Sequence, residues 1–482
     1  MQVETAPPSP TSAPAPAPPG GLASSRTRDP WPVVVLALAL AVIVLNAARG
    51  PFDSDGWWHL RSGDLILDRG SLPREDPFAW TAAGEPWRLN SWLFDVLAAA
   101  SRSIAGRGPL ITLTLLAFAG FGVACYLLAR RAGARKWPSV AVASTFTVLV
   151  TPWVAERPHM LSYLFFAATL VLAPRALSGS NRALIAQVAL IVVWVNFHLA
   201  TTVGIALIAI LAFASVVRTR RLTRPLVVTA AAALASLCSP FGISVYTAAF
   251  ESRTTSHLIK EWQPVDLMDP GDIAIVVVAL VALLSLWHTG RWRRLDCILP
   301  VAVFAALTFD AVRNSPFLLL VASAEVALGL SALRAPRLHG ALRPRSTALV
   351  HGLVLGLVLA AALQLPNLAE ARSAPGEWYP VRGTKAIPAG CRLLNEDAFG
   401  GYITDKRWPE VLVSQDGRNG SEQDLERQRL VLAGRPGALE WINQHRVGCV
   451  LAAPDRPLVD LLRAEDWRVT AKDPSAVLLM RP

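Results

Sequence analysis

The stretch richest in chemical potential is Phe52-Asp53-Ser54-Asp55-Gly56-Trp57-Trp58-His59-Leu60-Arg61-Ser62-Gly63. Two carboxylates stand one residue apart, beside two tryptophans and a histidine. A carboxylate withdrawn from water is a stronger base and can take the proton of a hydroxyl. A carboxylate pair can instead hold a divalent cation, Mg or Mn, on a phosphate. Asp53 and Asp55 could also do no more than cap a helix. Spacing alone leaves all three open.

Cationic partners lie far along the chain. They are Arg157 and His159 in Glu-Arg-Pro-His, His198 in Asn-Phe-His and Arg313 in Asp310-Ala-Val-Arg-Asn, with His59 nearer by. Positive charge at such positions stabilises a departing phosphate. The arginines could equally anchor anionic headgroups or pair with Glu156 and Asp310. The histidines could be structural hydrogen-bond donors. Glu261 and Asp266 could hold an acceptor or a metal, or be solvated surface carboxylates.

These residues are positioned by a membrane scaffold. The chain has 482 residues, 53% hydrophobic and 17% charged. A soluble domain carries roughly 25% charged residues, and lipid explains the deficit. Apolar runs at 31–48, 109–129, 138–154, 160–174, 183–197, 199–217, 225–240, 272–288, 297–309, 316–333 and 346–365 make about eleven spans. Residues 1–28, rich in Pro and Ala, read as a disordered cytoplasmic tail.

The net charge of +11 does not mark a nucleic-acid binder. The arginines fall in short tracts between apolar runs, such as Arg130-Arg131 and Arg218-Thr-Arg220-Arg221, which is how topology is encoded. Alternate loops are basic, and nearly all the carboxylates fall in the others. With the N-terminus inside, an odd span count places residues 366–482 outside. Asp53, Asp55, Arg157, His159, His198, Arg313, Glu261 and Asp266 then all face outward. The first outside loop, 49–108, is long and contains an amphipathic stretch, Ser91–Arg102, suited to the interface.

Residues 366–482 alternate strand-like runs (392–395, 410–414, 449–453, 477–480) with helix-like ones (422–432, 438–444, 457–463), a small α/β domain. Phe399-Gly-Gly-Tyr402 and Asp416-Gly-Arg418 read as tight turns. Of five cysteines, Cys391 and Cys449 share this domain, as a disulfide or as two free thiols.

This layout resembles the GT-C superfamily of polyprenol-phosphate-dependent glycosyltransferases. More closely, it resembles a group of bacterial membrane proteins with D-x-D-x-W-W-H-L-x-x-G (Asp53 to Gly63) and D-P-F-x-x-T-x-x-G-x-P-W (Asp76 to Trp87). The group also shares E-W-x-P (Glu261 to Pro264) and late G-G-Y and D-G-R elements. The resemblance implies a GT-C-like transmembrane domain over 29–365 and an extracytoplasmic α/β domain over 366–482. It implies a polyprenyl-phosphate sugar donor, an envelope acceptor on the outer face of a bacterial cytoplasmic membrane, and no nucleic acid. It assigns Asp55 as base or metal ligand, with Asp53 as the alternative. Many relatives carry adjacent Asp-Glu there, whereas this chain has Asp55-Gly56. Two other expectations stand beside it, a non-catalytic GT-C-fold scaffold for envelope assembly and a transporter. Transport is disfavoured by the lack of an internal hydropathy repeat.

Overall fold

The computed structural model describes residues 30–251, 259–333, 378–418 and 422–482. The N-terminal tail, the span expected at 346–365 and the basic cluster Arg334, Arg337, Arg343 and Arg345 lie outside the described residues.

A helix lies over every expected span up to residue 333. These are α1 (Trp31–Ala47), α4 (Gly108–Arg131), α5 (Lys136–Val150), α6 (His159–Leu177), α7 (Asn181–Phe197) and α8 (Thr201–Thr219). They continue with α9 (Thr223–Ala235), α11 (Pro270–His288), α12 (Leu295–Asp310) and α13 (Ser315–Ala332). Among the described residues, five helices are long and apolar enough to cross a membrane on that criterion alone. Their outward apolar side chains, Leu116 and Leu127 of α4 among them, are exposed. Lipid, not water, is the solvent such a face requires. The last of the five, α13, is the most buried. It packs against α4, α5, α11 and α12 at the centre of the bundle.

Between α1 and α4 the chain forms α2 (Ser54–Arg69) and the expected amphipathic helix, α3 (Trp92–Ala105). A short helix, α10 (Ser244–Glu251), precedes the loop to α11.

The C-terminal residues build α14 (Val381–Ala386), β1 (Leu393–Asn395), α15 (Asp397–Arg407), α16 (Glu422–Leu432), α17 (Ala438–Gln444), β2 (Cys449–Ala452), α18 (Pro457–Ala464), β3 (Arg468–Lys472) and β4 (Val477–Met480). The sheet order is β1-β2-β4-β3, with β1 and β2 parallel and the other pairs antiparallel. Successive β2 residues enter different apolar cores, Cys449 and Leu451 on one face and Val450 and Ala452 on the other. A strand covered on both faces reads as a continuous apolar run, which is why it was visible in the sequence. Edge strand β3 is half exposed and mostly polar, and it left no such mark. Cys391 and Cys449 are joined in a disulfide, with Cα atoms 6.2 Å apart.

Two sequence expectations are corrected. Residues 410–414 form isolated bridges, Arg392 with Leu412 and Ala79 with Val413, not a strand. Phe399–Tyr402 is no turn but the middle of α15. Its glycines serve close approach: a Cβ at Gly400 would stand 1.9 Å from Gln415 O, and one at Gly401 2.3 Å from Ser54 O. The bare helix face lets α15 rest on the N-terminus of α2.

Candidate functional site

The loop between α1 and α4 and the C-terminal domain clasp one another. Trp80 N–H donates to Val413 O at 3.0 Å and Val413 N–H to Phe78 O at 3.1 Å. Trp80 Nε1 donates to Leu393 O, Thr81 Oγ1 to Ser414 O and Trp408 Nε1 to Pro77 O. Arg418 binds Asp416 and reaches Asp76 Oδ1 at 2.9 Å, with its guanidinium against the rings of Phe78 and Trp87. Asp76 also accepts the backbone N–H groups of Phe78 and Ala79. The D-P-F and D-G-R motifs, remote in sequence, are thus two halves of one joint.

The joint seats α2, and α2 carries the acidic pair. Asp53 is its N-cap and accepts the Asp55 N–H at 2.9 Å. The capping reading therefore holds for Asp53 alone; Asp55 lies inside the first turn, free of that duty. Glu156, fully buried, accepts the Asp53 N–H at 2.8 Å. That contact draws the Glu156-Arg157 turn onto the pair. Arg157 grips Asp53 with Nε on Oδ1 at 2.7 Å and Nη2 on Oδ2 at 3.3 Å, and its Nη1 lies 3.0 Å from Asp55 Oδ2.

The two carboxylates differ in electrostatics. Burial pushes both up. The Arg157 guanidinium outweighs burial at Asp53 and holds it below its ordinary value. At Asp55 burial wins and leaves it well above the usual carboxylate range, with Asp53, Asp397 and Glu261 adding to the rise against Arg157. Asp55 is thus the proton-hungry member of the pair.

The C-terminal domain reaches this point. Gly417 has φ +82°, and a Cβ there would stand 2.4 Å from Asp55 Oδ1 and 3.9 Å from Asp397 Oδ1. Burial and the nearby Asp416 raise Asp397 in turn. A cavity of about 490 Å³ opens beside Asp53, with Asn46, Ser54, Thr151 and Tyr379 in its walls.

Arg313 lies in the turn before α13, 3.4 Å from Glu261 Oε1, and stacks on the Trp262 ring at 3.9 Å. Glu261 acts electrostatically on Asp55 and Arg157 as well. His159 bonds Trp153 O through Nε2, and His198 bonds Ser162 Oγ through Nδ1, their rings 6.4 Å apart. Both histidines thus carry a hydrogen bond to the scaffold.

Two other candidates stand apart. His59 is buried, bonded to Asp95 at 2.6 Å and stacked on Trp58, and it ties α2 to α3. Asp266 is exposed and accepts the Met268 N–H in the turn leading to α11. Glu156, Asp397 and Gly417 were missed. Gly417 lay in Asp-Gly-Arg and Glu156 in Glu-Arg-Pro-His, where it was read only as an ion-pair partner, and neither motif signalled the contact each makes.

A divalent cation does not fit the acidic pair as it stands. The fork between Asp53 and Asp55 is filled by the Arg157 guanidinium. Among the described residues no three His, Cys, Asp or Glu side chains converge to hold a metal.

The fold is shared with solved archaeal oligosaccharyltransferases. The archaeal oligosaccharyltransferase AglB from Archaeoglobus fulgidus, in complex with an inhibitory peptide and a dolichol-phosphate, is similar at a TM-score of 0.61 and 13% identity, over 89% of this chain and 70% of that one. The A. fulgidus oligosaccharyltransferase in complex with Zn and sulfate gives 0.54 and 16%, over 87% and 68%. A looser likeness, 0.49 and 13%, extends over 93% of this chain and 97% of ArnT from Cupriavidus metallidurans bound to undecaprenyl phosphate. No family model and no curated protein matches the sequence. At such identities the likeness establishes the fold, and function has to be argued from the site.

Proposed function

We propose that the chain transfers a sugar from a polyprenyl-phosphate donor to an envelope acceptor on the outer face of a bacterial cytoplasmic membrane. The observation that carries this reading is the asymmetry of the acidic pair. One carboxylate is fixed by a guanidinium and two helix-start contacts. The other is buried, raised, and held by that guanidinium through a single nitrogen. Asp55 is the general base that takes the acceptor hydroxyl proton as the sugar moves to that oxygen.

Arg313 is the cation for the departing lipid phosphate. Its long contact to Glu261 leaves it more available than Arg157, and stacking on Trp262 fixes its plane. His198, with Nδ1 on the Ser162 hydroxyl, keeps Nε2 as a donor, whereas the ring proton of His159 is given to Trp153 O. No step is routed through a metal. The AglB structure, with its dolichol-phosphate and inhibitory peptide, supports a lipid-phosphate partner by fold analogy. The Cys391–Cys449 disulfide supports an oxidising compartment for residues 378–482, the outer side.

The test is sugar transfer by the purified chain in nanodiscs, with labelled polyprenyl-phosphate sugars and candidate envelope acceptors. Asp55→Asn should stop transfer while the protein stays folded. Full activity in that variant would sink the mechanism. One observation favours the non-catalytic scaffold instead: the Gly417 backbone rests on Asp55. If so, Asp55→Asn and Arg313→Ala would both complement a deletion strain.

A further inference from the structure

We infer that Arg157 is the built-in cation of this site, standing where a divalent ion would otherwise have to stand, so that the acidic pair works without a metal. The inference draws its meaning from the proposed transfer, but its test does not depend on that reading.

The geometry is specific. One guanidinium spans both carboxylates, two nitrogens on Asp53 and a third on Asp55. A planar fork can do this, and an ammonium cannot. The side chain is delivered from a fixed turn. Arg157 N–H donates to Ala155 O at 2.8 Å, Pro158 caps α6, and Glu156 holds the Asp53 backbone. Asp53 Oδ1 accepts from both Arg157 and the Asp55 N–H, so little of its coordinating capacity is left.

An incoming Mg²⁺ needs near-octahedral oxygens at roughly 2.0–2.1 Å. To bridge Asp53 and Asp55 it would first have to expel the guanidinium. If both cations stayed, two positive charges in one partly buried fork would repel. The guanidinium is permanently charged and covalently tethered, so the site cannot lose it to a chelator. The division of labour between the carboxylates also follows. The cation grips Asp53 with two nitrogens and Asp55 with one, which leaves Asp55 the freer base.

The test uses Mn²⁺ alone as probe, titrated into the full-length protein in nanodiscs and read by electron paramagnetic resonance, with Asp53→Asn alongside. Thermal unfolding is recorded with and without EDTA. The expected result is no one-per-chain Mn²⁺ site and an unfolding midpoint that EDTA does not move. Stoichiometric Mn²⁺ binding that Asp53→Asn abolishes would overturn the inference.

A second arm uses Arg157→Ala. Its unfolding midpoint should fall by roughly 5 °C or more and recover in millimolar guanidinium. A variant as stable as the parent and indifferent to guanidinium would also overturn the inference. If Arg157→Ala does not fold, the Mn²⁺ titration of the parent decides alone. A chain that neither transfers sugar nor binds Mn²⁺ would end the proposed reaction and leave the cation assignment standing. Transfer that EDTA stops would do the reverse.

Discussion

Two of the partly buried arginine–carboxylate contacts are built differently. Near the start of α12, Arg291 meets Glu325 of α13 with Nε on Oε2 at 2.7 Å and Nη2 on Oε1 at 2.9 Å. This is one cation on one anion, a closed pair. At α2, one guanidinium serves two carboxylates, and Glu261 and Asp397 press on the same point. The two arginine side chains are equally exposed, 26% and 27%, so burial does not separate the sites. Charge balance does. A balanced pair stabilises helices, whereas an unbalanced one keeps a carboxylate whose proton is negotiable.

The sharpest way to break this contrast is Asp55→Asn. If the surplus carboxylate is the base, transfer should drop by about 10²–10⁴-fold. The unfolding midpoint should hold or rise, because a buried surplus charge is removed. Equal losses of activity and stability would make the two sites alike after all. Arg313→Ala should raise the donor KM by about ten- to a hundredfold, with Arg313→Lys in between, since a point charge keeps the attraction and loses the plane. A unchanged KM in Arg313→Ala would remove that residue from the donor site.

Glu325→Gln should cost about 2 kcal/mol of stability, discounted from the cost of breaking a fully buried pair because Arg291 is a quarter exposed. Transfer by the folded fraction should be unaffected, and any loss there would make this pair more than a brace.

The smallest effect is on pH dependence. Asp53 sits below its unfolded value, so its contribution is present above the ordinary carboxylate value of 3.8 and fades as pH falls through the lower, folded one. Asp55 sits above, so its contribution is present at low pH and is lost as pH rises through the raised value. Unfolding midpoints against pH should therefore lose their alkaline-side decline in Asp55→Asn and their acid-side decline in Asp53→Asn. Activity of the parent should rise with pH over the range where Asp55 ionises.

Much of the scaffold was legible because membrane burial writes itself locally. An apolar run long enough to span is visible in a window of residues, and the helices from Trp31 to Ala332 lie where those runs are. The acidic pair was legible for the same reason, two carboxylates against an apolar background. Arg157 was legible as a candidate cation, but its pairing with these carboxylates was not. Arg157 is 104 residues from Asp53, and Arg418 is 342 from Asp76. Neither distance leaves a periodic trace. Gly400 and Gly401 misled because glycine permits both turns and close helix contact, and only the neighbour, Ser54 O, shows which use applies. Glu325 lies inside α13 and Arg291 lies 34 residues earlier, and the fold brings them together.

The clasp between the α1–α4 loop and the tail sets a schedule for biogenesis. The contacts from Thr81 to Ser414 and from Trp408 to Pro77 join residues 333 and 331 apart. At about 5–20 residues per second, the ribosome needs roughly 15–65 s to supply the second partner after the first. For that time α2 and its acidic pair lack the cover of the C-terminal residues. The base is therefore assembled last, when the chain is nearly complete. A chain cut short before Val411 would carry every catalytic candidate named here and still lack the seat that holds Asp55 in place.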